Sequence, residues 1–426
     1  MDNSAEAQAA MPDIRVPAGL TLAGLGAGIT VGLALSGSQA LAWAVAVAQP
    51  LGALWLRALQ MTIVPLVAGL LVIGIVQAVK AASAGELARA TLGRFVAILC
   101  TSAVMGALVM PLLIDLFPIP ARAAAAMSQG LATANPGPVP GIGDFVEGMV
   151  PTNILAAASS NTMLPVILFF ALFALALTRL PESQRDQMTG LFAALTGAML
   201  VMVGWVLALA PLGVFALGLV VAAKSGTSAI GVLAHYVALV SSIGGIVLIA
   251  AYVLAVLSAR VPLLKFARAL VPAQAVAIST QSSLASLPAM LAACRSLGLR
   301  DSSGEFVLPL AVSMFRASGP AMNVAVAIYV AKLTGVVITP GSLMAGVGVA
   351  CILTYGTVSL PNAITFISTV GPIALAMGVP IGPLALLVAV EMLPDIMRTV
   401  GNVTMDVAVT ATVDRKSSPE RGGEPA

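Results

Sequence analysis

Between Lys332 and Glu391 the chain runs for 58 residues without one charged side chain. A helix crossing a bilayer needs about 20 apolar residues, so this run is too long for a single crossing. It is also broken from within, at Thr354-Tyr355-Gly356-Thr357-Val358-Ser359-Leu360-Pro361. A soluble domain must cover its core with charged and polar surface. Here, 59% of the 426 residues are hydrophobic and 9% are charged, against roughly 25% charged in an ordinary soluble domain. That composition excludes a cytosolic enzyme, a disordered chain and a nucleic-acid binder. The apolar runs are long and do not alternate, which argues against a β-barrel. An all-α polytopic membrane protein is left, with lipid as its solvent.

Cutting the chain at its charges locates the spans. Residues 16–56 hold two, parted near Ser36-Gly37-Ser38, and 58–79 continue the second. Residues 95–114 form a third, and the Pro- and Gly-rich stretch 120–141 reads as an extramembrane loop. The next span, 148–178, is interrupted by Pro151 and Pro165; 187–223 contains Pro211; 225–259 is the sixth. After that the pattern changes. The apolar stretch 269–294 is interrupted by Ser279-Thr280-Gln281-Ser282-Ser283 and by Ser286-Leu287-Pro288. Residues 306–331 carry Arg316 and a Gly319-Pro320 break, and the last span, 381–413, contains four ionisable side chains.

Ser-Leu-Pro thus occurs twice, at 286–288 and 359–361, each time inside an apolar segment that precedes a helix with internal charge. Non-helical backbone at membrane depth is tolerated only where protein buries it or a cavity hydrates it. Paired interruptions point to inverted repeats around a midplane site. The expected architecture is eight transmembrane helices plus two re-entrant helical hairpins, near 262–295 and 339–378. A cytoplasmic tail (1–15) precedes the membrane-spanning part (16–413), and a disordered cytoplasmic tail (414–426) follows it. With both termini inside, fourteen Lys and Arg residues face the cytoplasm and three (Arg122, Lys224, Lys332) face outward, which satisfies the positive-inside rule.

Cys100, Cys294 and Cys351 sit in apolar surroundings and read as small buried hydrophobes, with no metal-ligand spacing among them. The single histidine, His235, reads as interfacial. No metalloprotease or serine-hydrolase motif is present, so neither an enzyme nor a bound cofactor is expected.

The informative charges lie in the last span. Glu391, Asp395, Arg398, Asn402 and Asp406 are spaced 4, 3, 4 and 4, which puts all five on one face of an α-helix. An ionisable group at mid-membrane costs at least about 2.5–3.5 kcal/mol, so these must face a cavity, one another or a polar ligand. Arg398 bridging Asp395 and Asp406 as a bundle lock is one reading. Chemically, the guanidinium fork suits a carboxylate, Asp395 suits an ammonium, and Asp406 with Asn402 offers hard oxygens for a small cation. Together they favour an anionic or zwitterionic substrate moved with a cation.

The string Arg398-Thr399-Val400-Gly401-Asn402-Val403-Thr404-Met405-Asp406 resembles the R-T-x-x-N-V-T-G-D signature of the dicarboxylate/amino acid:cation symporters, the glutamate transporter homologues. The two serine-bearing interruptions are similar to that family's hairpins. Phe306-Val307-Leu308-Pro309-Leu310, Met61-Thr62-Ile63-Val64-Pro65-Leu66, Pro151-Thr152-Asn153 and Pro211-Leu212-Gly213-Val214-Phe215 resemble its seventh, second, fourth and fifth helices. The resemblance covers most of residues 16–413. It implies a homotrimer in the inner membrane that takes up acidic amino acids or C4-dicarboxylates by an elevator motion, coupled to sodium or protons. A scaffold mainly of helices 1, 2, 4 and 5 would hold a moving domain of helices 3, 6, 7, 8 and the hairpins.

Carried over residue by residue, Asp395 would hold a substrate amino group and Arg398 the second carboxylate, with Thr399 and Asn402 lining the site. Ser282 and Ser283 would meet the α-carboxylate, while Gly356, Thr357, Val358 and Ser359 would close over it. Asn402 and Asp406 would hold sodium, and Thr101 and Ser102 would contribute to another sodium site.

One departure bears on coupling. Where the family has N-M-D-G-T, this chain has Phe315-Arg316-Ala317-Ser318-Gly319. One aspartate is lost and one arginine gained, a change of about two charges, which matches two sodium ions. Arg316 then reads as a tethered cation that pairs with Asp406 or Asp395 and replaces bound sodium, leaving a proton-coupled or sodium-independent carrier. It also reads as a direct grip on a substrate carboxylate, or as a helix-end arginine snorkelling to water. An anion channel is the remaining alternative. The first hairpin's serine run, Gln281-Ser282-Ser283-Leu284, is shorter than the family's.

Overall fold

A computed structural model describes residues 18–119, 147, 150–354 and 362–417, apart from positions 37, 84, 161 and 227. Among them there are helices and no strand. The N-terminal half holds α1 (Ala18–Ala34), α2 (Ala40–Gln60), α3 (Ile63–Ala82), α4 (Glu86–Leu116), α5 (Ile154–Ser159), α6 (Met163–Leu177), α7 (Glu182–Ala208) and α8 (Ala210–Ser225). The second half holds α9 (Ser228–Leu257), α10 (Leu263–Thr280), α11 (Leu287–Leu297), α12 (Asp301–Met314), α13 (Ser318–Thr334), α14 (Pro340–Leu353), α15 (Asn362–Ala376), α16 (Leu384–Leu387) and α17 (Met392–Ser417).

Four helices are long and apolar enough to cross a membrane by length and composition: Ala40–Ala82, Ala88–Leu116, Glu182–Ala208 and Ile230–Leu257. The other expected spans are built from shorter pieces, and prolines explain several joints. Pro211 lies in the first turn of α8, where its missing N–H has no intrahelical partner to lose. Pro288 does the same for α11, and Pro340 for α14. Asn153 caps α5, accepting N–H bonds from Leu155 and Ala156. Thr339 and Ser342 form a reciprocal capping box on α14.

The two expected hairpins fall on α10–α11 and α14–α15, each a pair of helices packed together. The first turns at Gln281, in the left-handed region at φ 50°. The expected loop 120–141, the tail 1–15 and the second Ser-Leu-Pro, at 359–361, lie outside the described residues.

Two sequence expectations shift. The break in the seventh span lies at Phe315–Ala317, not at Gly319-Pro320. Phe315 is extended (φ −118°, ψ 98°), and α13 begins at Ser318, so Pro320 sits in a first turn, where it is accommodated. The last helix also continues past 413, to Ser417. Asp414 is buried, accepting from Arg300 Nε at 2.8 Å, while its carbonyl accepts from Arg300 Nη2 at 2.7 Å. A charged residue that reads as tail thus becomes the anchor of a helix end.

The helices pack in several sets, with α14 and α15 also lying against α3 and α6. α1 and α2 pack on α8, and α3 packs on α6 and α7. Elsewhere α4 packs on α13, and α17 is surrounded by α9, α10 and α12. The seam between α1 and α8 is a close helix approach. A Cβ at Gly24, Gly28 or Gly32 would lie 2.4, 2.3 and 2.7 Å from the carbonyl oxygens of Pro211, Phe215 and Leu219. Small residues every fourth position let two backbones touch, which is how helices gain dispersion energy where lipid removes the hydrophobic driving force. Trp43, Trp205, Leu108 and Ile249 stand exposed on the outer surface, as lipid-facing residues do.

Candidate functional site

The polar stripe of the last span is a buried seam. Glu391, just ahead of α17, already accepts the Asp395 N–H at 3.0 Å, so its side chain is in register with the helix. Glu391, Asp395, Arg398, Thr399, Asn402 and Asp406 are all buried, with Glu391 at 1% and Asp406 at 0% exposure. Buried polar atoms need partners, and the two ends of the seam meet that requirement differently.

At the first end Arg398 is the hub. Its Nη2 donates to Glu391 Oε1, and its Nη1 donates to Asn323 Oδ1 on α13 at 2.6 Å. Arg398 Nε lies 3.1 Å from Asp395 Oδ1, close enough for an ion pair, though the geometry is not that of a hydrogen bond. The second Glu391 oxygen accepts from the Tyr236 hydroxyl of α9 at 2.6 Å. Asn323 donates onward to Thr369 Oγ1 of α15 at 3.0 Å. Thr399 lies against Asp395. Arg398 therefore bridges Glu391 and Asp395, and the lock expected with Asp406 is not formed.

At the other end the partners run out. Asn402 Oδ1 accepts the Ser318 N–H at 2.8 Å, at the start of α13. Ser102 on α4 donates its hydroxyl to the Ala317 carbonyl, in the break. Both Asp406 carboxylate oxygens and Ser318 Oγ are buried, with no hydrogen-bond partner among the described residues. Asn402, Ser318, Ser102 and the unwound Phe315–Ala317 segment thus meet, with Asp406 one turn along α17 from Asn402. Phe315 and Ala317 add no side-chain oxygen there; Phe315 instead stacks on Phe95 with ring centroids 4.2 Å apart. Thr101 does not join this group: it is exposed, and its hydroxyl donates to Ala97 O in its own helix at 2.7 Å.

Arg316 lies between the two ends. It lines a cavity of about 20 Å³ together with Asn323, Thr354, Thr365, Thr369 and Arg398. That is room for about one water, so an organic substrate needs the surrounding helices to part. Asp395, Arg398 and Asp406 are near enough to act on the Arg316 charge, yet Arg316 makes no ion pair within 4 Å among the described residues.

Ser282 and Ser283 sit half-buried at the turn of the first hairpin. Ser282 Oγ accepts the Ala285 N–H at 3.2 Å. Gln281 Nε2 reaches the Met392 carbonyl at 3.2 Å, which docks this turn on the start of α17, one helical turn from Asp395. Gly356, Thr357, Val358 and Ser359 lie outside the described residues.

Sequence reasoning missed Tyr236, Asn323, Thr369 and Ser318, whose roles come from contacts across dozens of residues. It passed over His235 as interfacial. In the fold His235 joins the Phe117 carbonyl (2.8 Å) to the Tyr329 hydroxyl (3.1 Å), and the Tyr329 ring packs edge-on against Tyr236 at 5.4 Å.

The model of the sodium:dicarboxylate symporter family matches residues 19–416. Among named relatives, the chain is 28% identical over 364 residues to the proton/glutamate-aspartate symporter of Escherichia coli, covering 83% of this chain and 82% of that one. It is 27% identical over 386 residues to the proton/sodium-glutamate symport protein of Bacillus subtilis, covering 89% and 88%. It is 25% identical over 419 residues to C4-dicarboxylate transport protein 2 of Ralstonia nicotianae, covering 93% and 88%. This is a family of membrane transporters, not of enzymes. A match across almost the whole chain, on a helical fold with a buried Arg–carboxylate seam, makes this protein a member of the sodium:dicarboxylate symporter family.

Proposed function

We propose that the protein takes up acidic amino acids or C4-dicarboxylates together with a cation, by an elevator-type alternating-access mechanism. The observation that carries this reading is Arg398: a buried guanidinium, beside Asp395, on the wall of a cavity between α13, α14 and α15. Arg398 takes a substrate carboxylate and Asp395 takes an amino group, with Thr399, Asn402, Ser282 and Ser283 and the Gly356–Ser359 segment completing the pocket. The cation binds at Asp406, Asn402 and Ser318, with Ser102 holding the broken strand of chain beside them. A scaffold of α1–α3 and α5–α8 carries the rest as the moving part. The working unit is a homotrimer in the inner membrane with both termini cytoplasmic.

A second reading concerns coupling. Arg316 supplies a fixed positive charge where relatives of this type carry sodium ligands, so bound sodium is reduced and a proton takes its place. The half-buried Arg316, with the charges of Asp395 and Asp406 in reach, favours it. The test is Arg316→Met in proteoliposomes, with L-aspartate and succinate as substrates and sodium and pH varied independently. The tethered-cation reading expects sodium dependence to appear, or affinity to fall about tenfold. Unchanged sodium dependence and affinity overturn it.

A further inference from the structure

We infer that Glu391 is the proton-binding group of this carrier and that its protonation releases Arg398 for the substrate carboxylate. The inference rests on the proposed role of Arg398 and adds to it the group that moves the proton.

Arg398 is already engaged. Glu391 holds Nη2, Asn323 holds Nη1, and Asp395 flanks Nε. A substrate carboxylate that takes the fork must therefore displace one of these. Asn323 is neutral and anchored to Thr369, and Asp395 is needed as an anion for an amino group. Glu391 is the carboxylate left to give way.

Charge gives the same answer. Glu391, Asp395 and Arg398 together carry one negative charge, and a substrate of net charge −1 would make it two inside a buried site. One proton on Glu391 restores the original charge. The step is balanced as R–COO⁻ plus H⁺ to R–COOH: the Arg398–Glu391 ion pair breaks, and an Arg398–substrate pair forms. Substrate and proton thus bind with positive coupling, and each raises the other's affinity by the same factor.

The groups that face Glu391 are few. From α17 come Arg398 and Asp395, and from α9 comes Tyr236; Tyr329 of α13 reaches it through the Tyr236 ring. From α8, which packs on α16, no titratable residue precedes Lys224 at its far end. The Tyr236 hydroxyl contacts Glu391, and its ring packs on Tyr329, whose hydroxyl meets His235.

The test is L-aspartate and succinate binding to the purified full chain as a function of pH, with proton uptake measured in proteoliposomes. For the wild type, the affinity should fall by up to tenfold per pH unit as pH rises through the transition, and one proton should enter with each L-aspartate. Glu391→Gln should bind both substrates with affinity independent of pH and should carry out counterflow, but it should not be driven by a pH gradient. Tyr236→Phe should keep the slope and move its midpoint, which guards against misfolding of the Gln variant. Wild-type pH dependence and proton uptake in Glu391→Gln, with binding still lost in Arg398→Ala, would overturn the proton assignment alone. Unchanged binding in Arg398→Ala would overturn the reading of the site on which it stands.

Discussion

The two ends of the α17 seam are built from the same kinds of residue and solve burial in opposite ways. Around Arg398 every guanidinium nitrogen faces a carboxylate or an amide, and both oxygens of Glu391 are used. About two turns further along, Asp406 is just as deeply buried and neither of its oxygens accepts a hydrogen bond from the described residues. Two opposite charges 4 Å apart gain about 4 kcal/mol at an effective dielectric near 20, so the first end offsets much of its own desolvation. Asp406 has no such hydrogen-bonded partner among the described residues, so the charge of Arg316 alone is set against the several kcal/mol that burying a carboxylate costs. The difference divides the labour: a self-paired cluster admits a ligand only by exchange of partners, whereas an unpaired carboxylate attracts a cation outright.

Arg398→Ala attacks the paired end and has the largest expected effect. It leaves Glu391 and Asp395 without their cation, a change of about 3–5 kcal/mol for a broken buried pair. Counterflow of L-aspartate or succinate should fall by a hundredfold or more, on the order of that energy. Counterflow within tenfold of wild type would show that the substrate does not use the paired end. Asp406→Asn attacks the other end. Accumulation driven by a cation gradient should fall about ten- to a hundredfold, matching 1–3 kcal/mol of lost coupling, while counterflow falls much less. Equal loss of both would erase the distinction between the ends. Gly401→Ala tests the boundary between them. Its added Cβ would lie 2.5 Å from Ser318 Oγ, and overpacking of this kind costs about 1–3 kcal/mol. Cation dependence should weaken more than substrate affinity, since Ser318 belongs to the Asp406 end; an effect on substrate affinity alone would reverse the assignment.

How far the seam was legible follows from helix geometry. The spacing of Glu391, Asp395, Arg398, Asn402 and Asp406 matches the 3.6-residue period, so their shared face was readable without coordinates. Which member pairs with which was not: Arg398 chose Glu391 over Asp406 because Tyr236 and Asn323, on helices far away in sequence, complete that end. Thr101 and Ser102 show the converse limit. Successive residues on a helix point about 100° apart, so a motif that names both can deliver only one to a given face, and Ser102 is the one that reaches Ala317. The break at Phe315–Ala317 was placed three residues late because Gly-Pro was read as a breaker, when it serves as a helix start. Asp414 reads as tail in the sequence because its partner, Arg300, lies 114 residues earlier.

The glycine seam between α1 and α8 also matters for how the chain is made. Gly24, Gly28 and Gly32 press on the backbone of Pro211, Phe215 and Leu219, roughly 190 residues later in the chain, on the order of 10–40 s of synthesis. Throughout that interval the close-packing face of α1 stands without the helix whose backbone it fits.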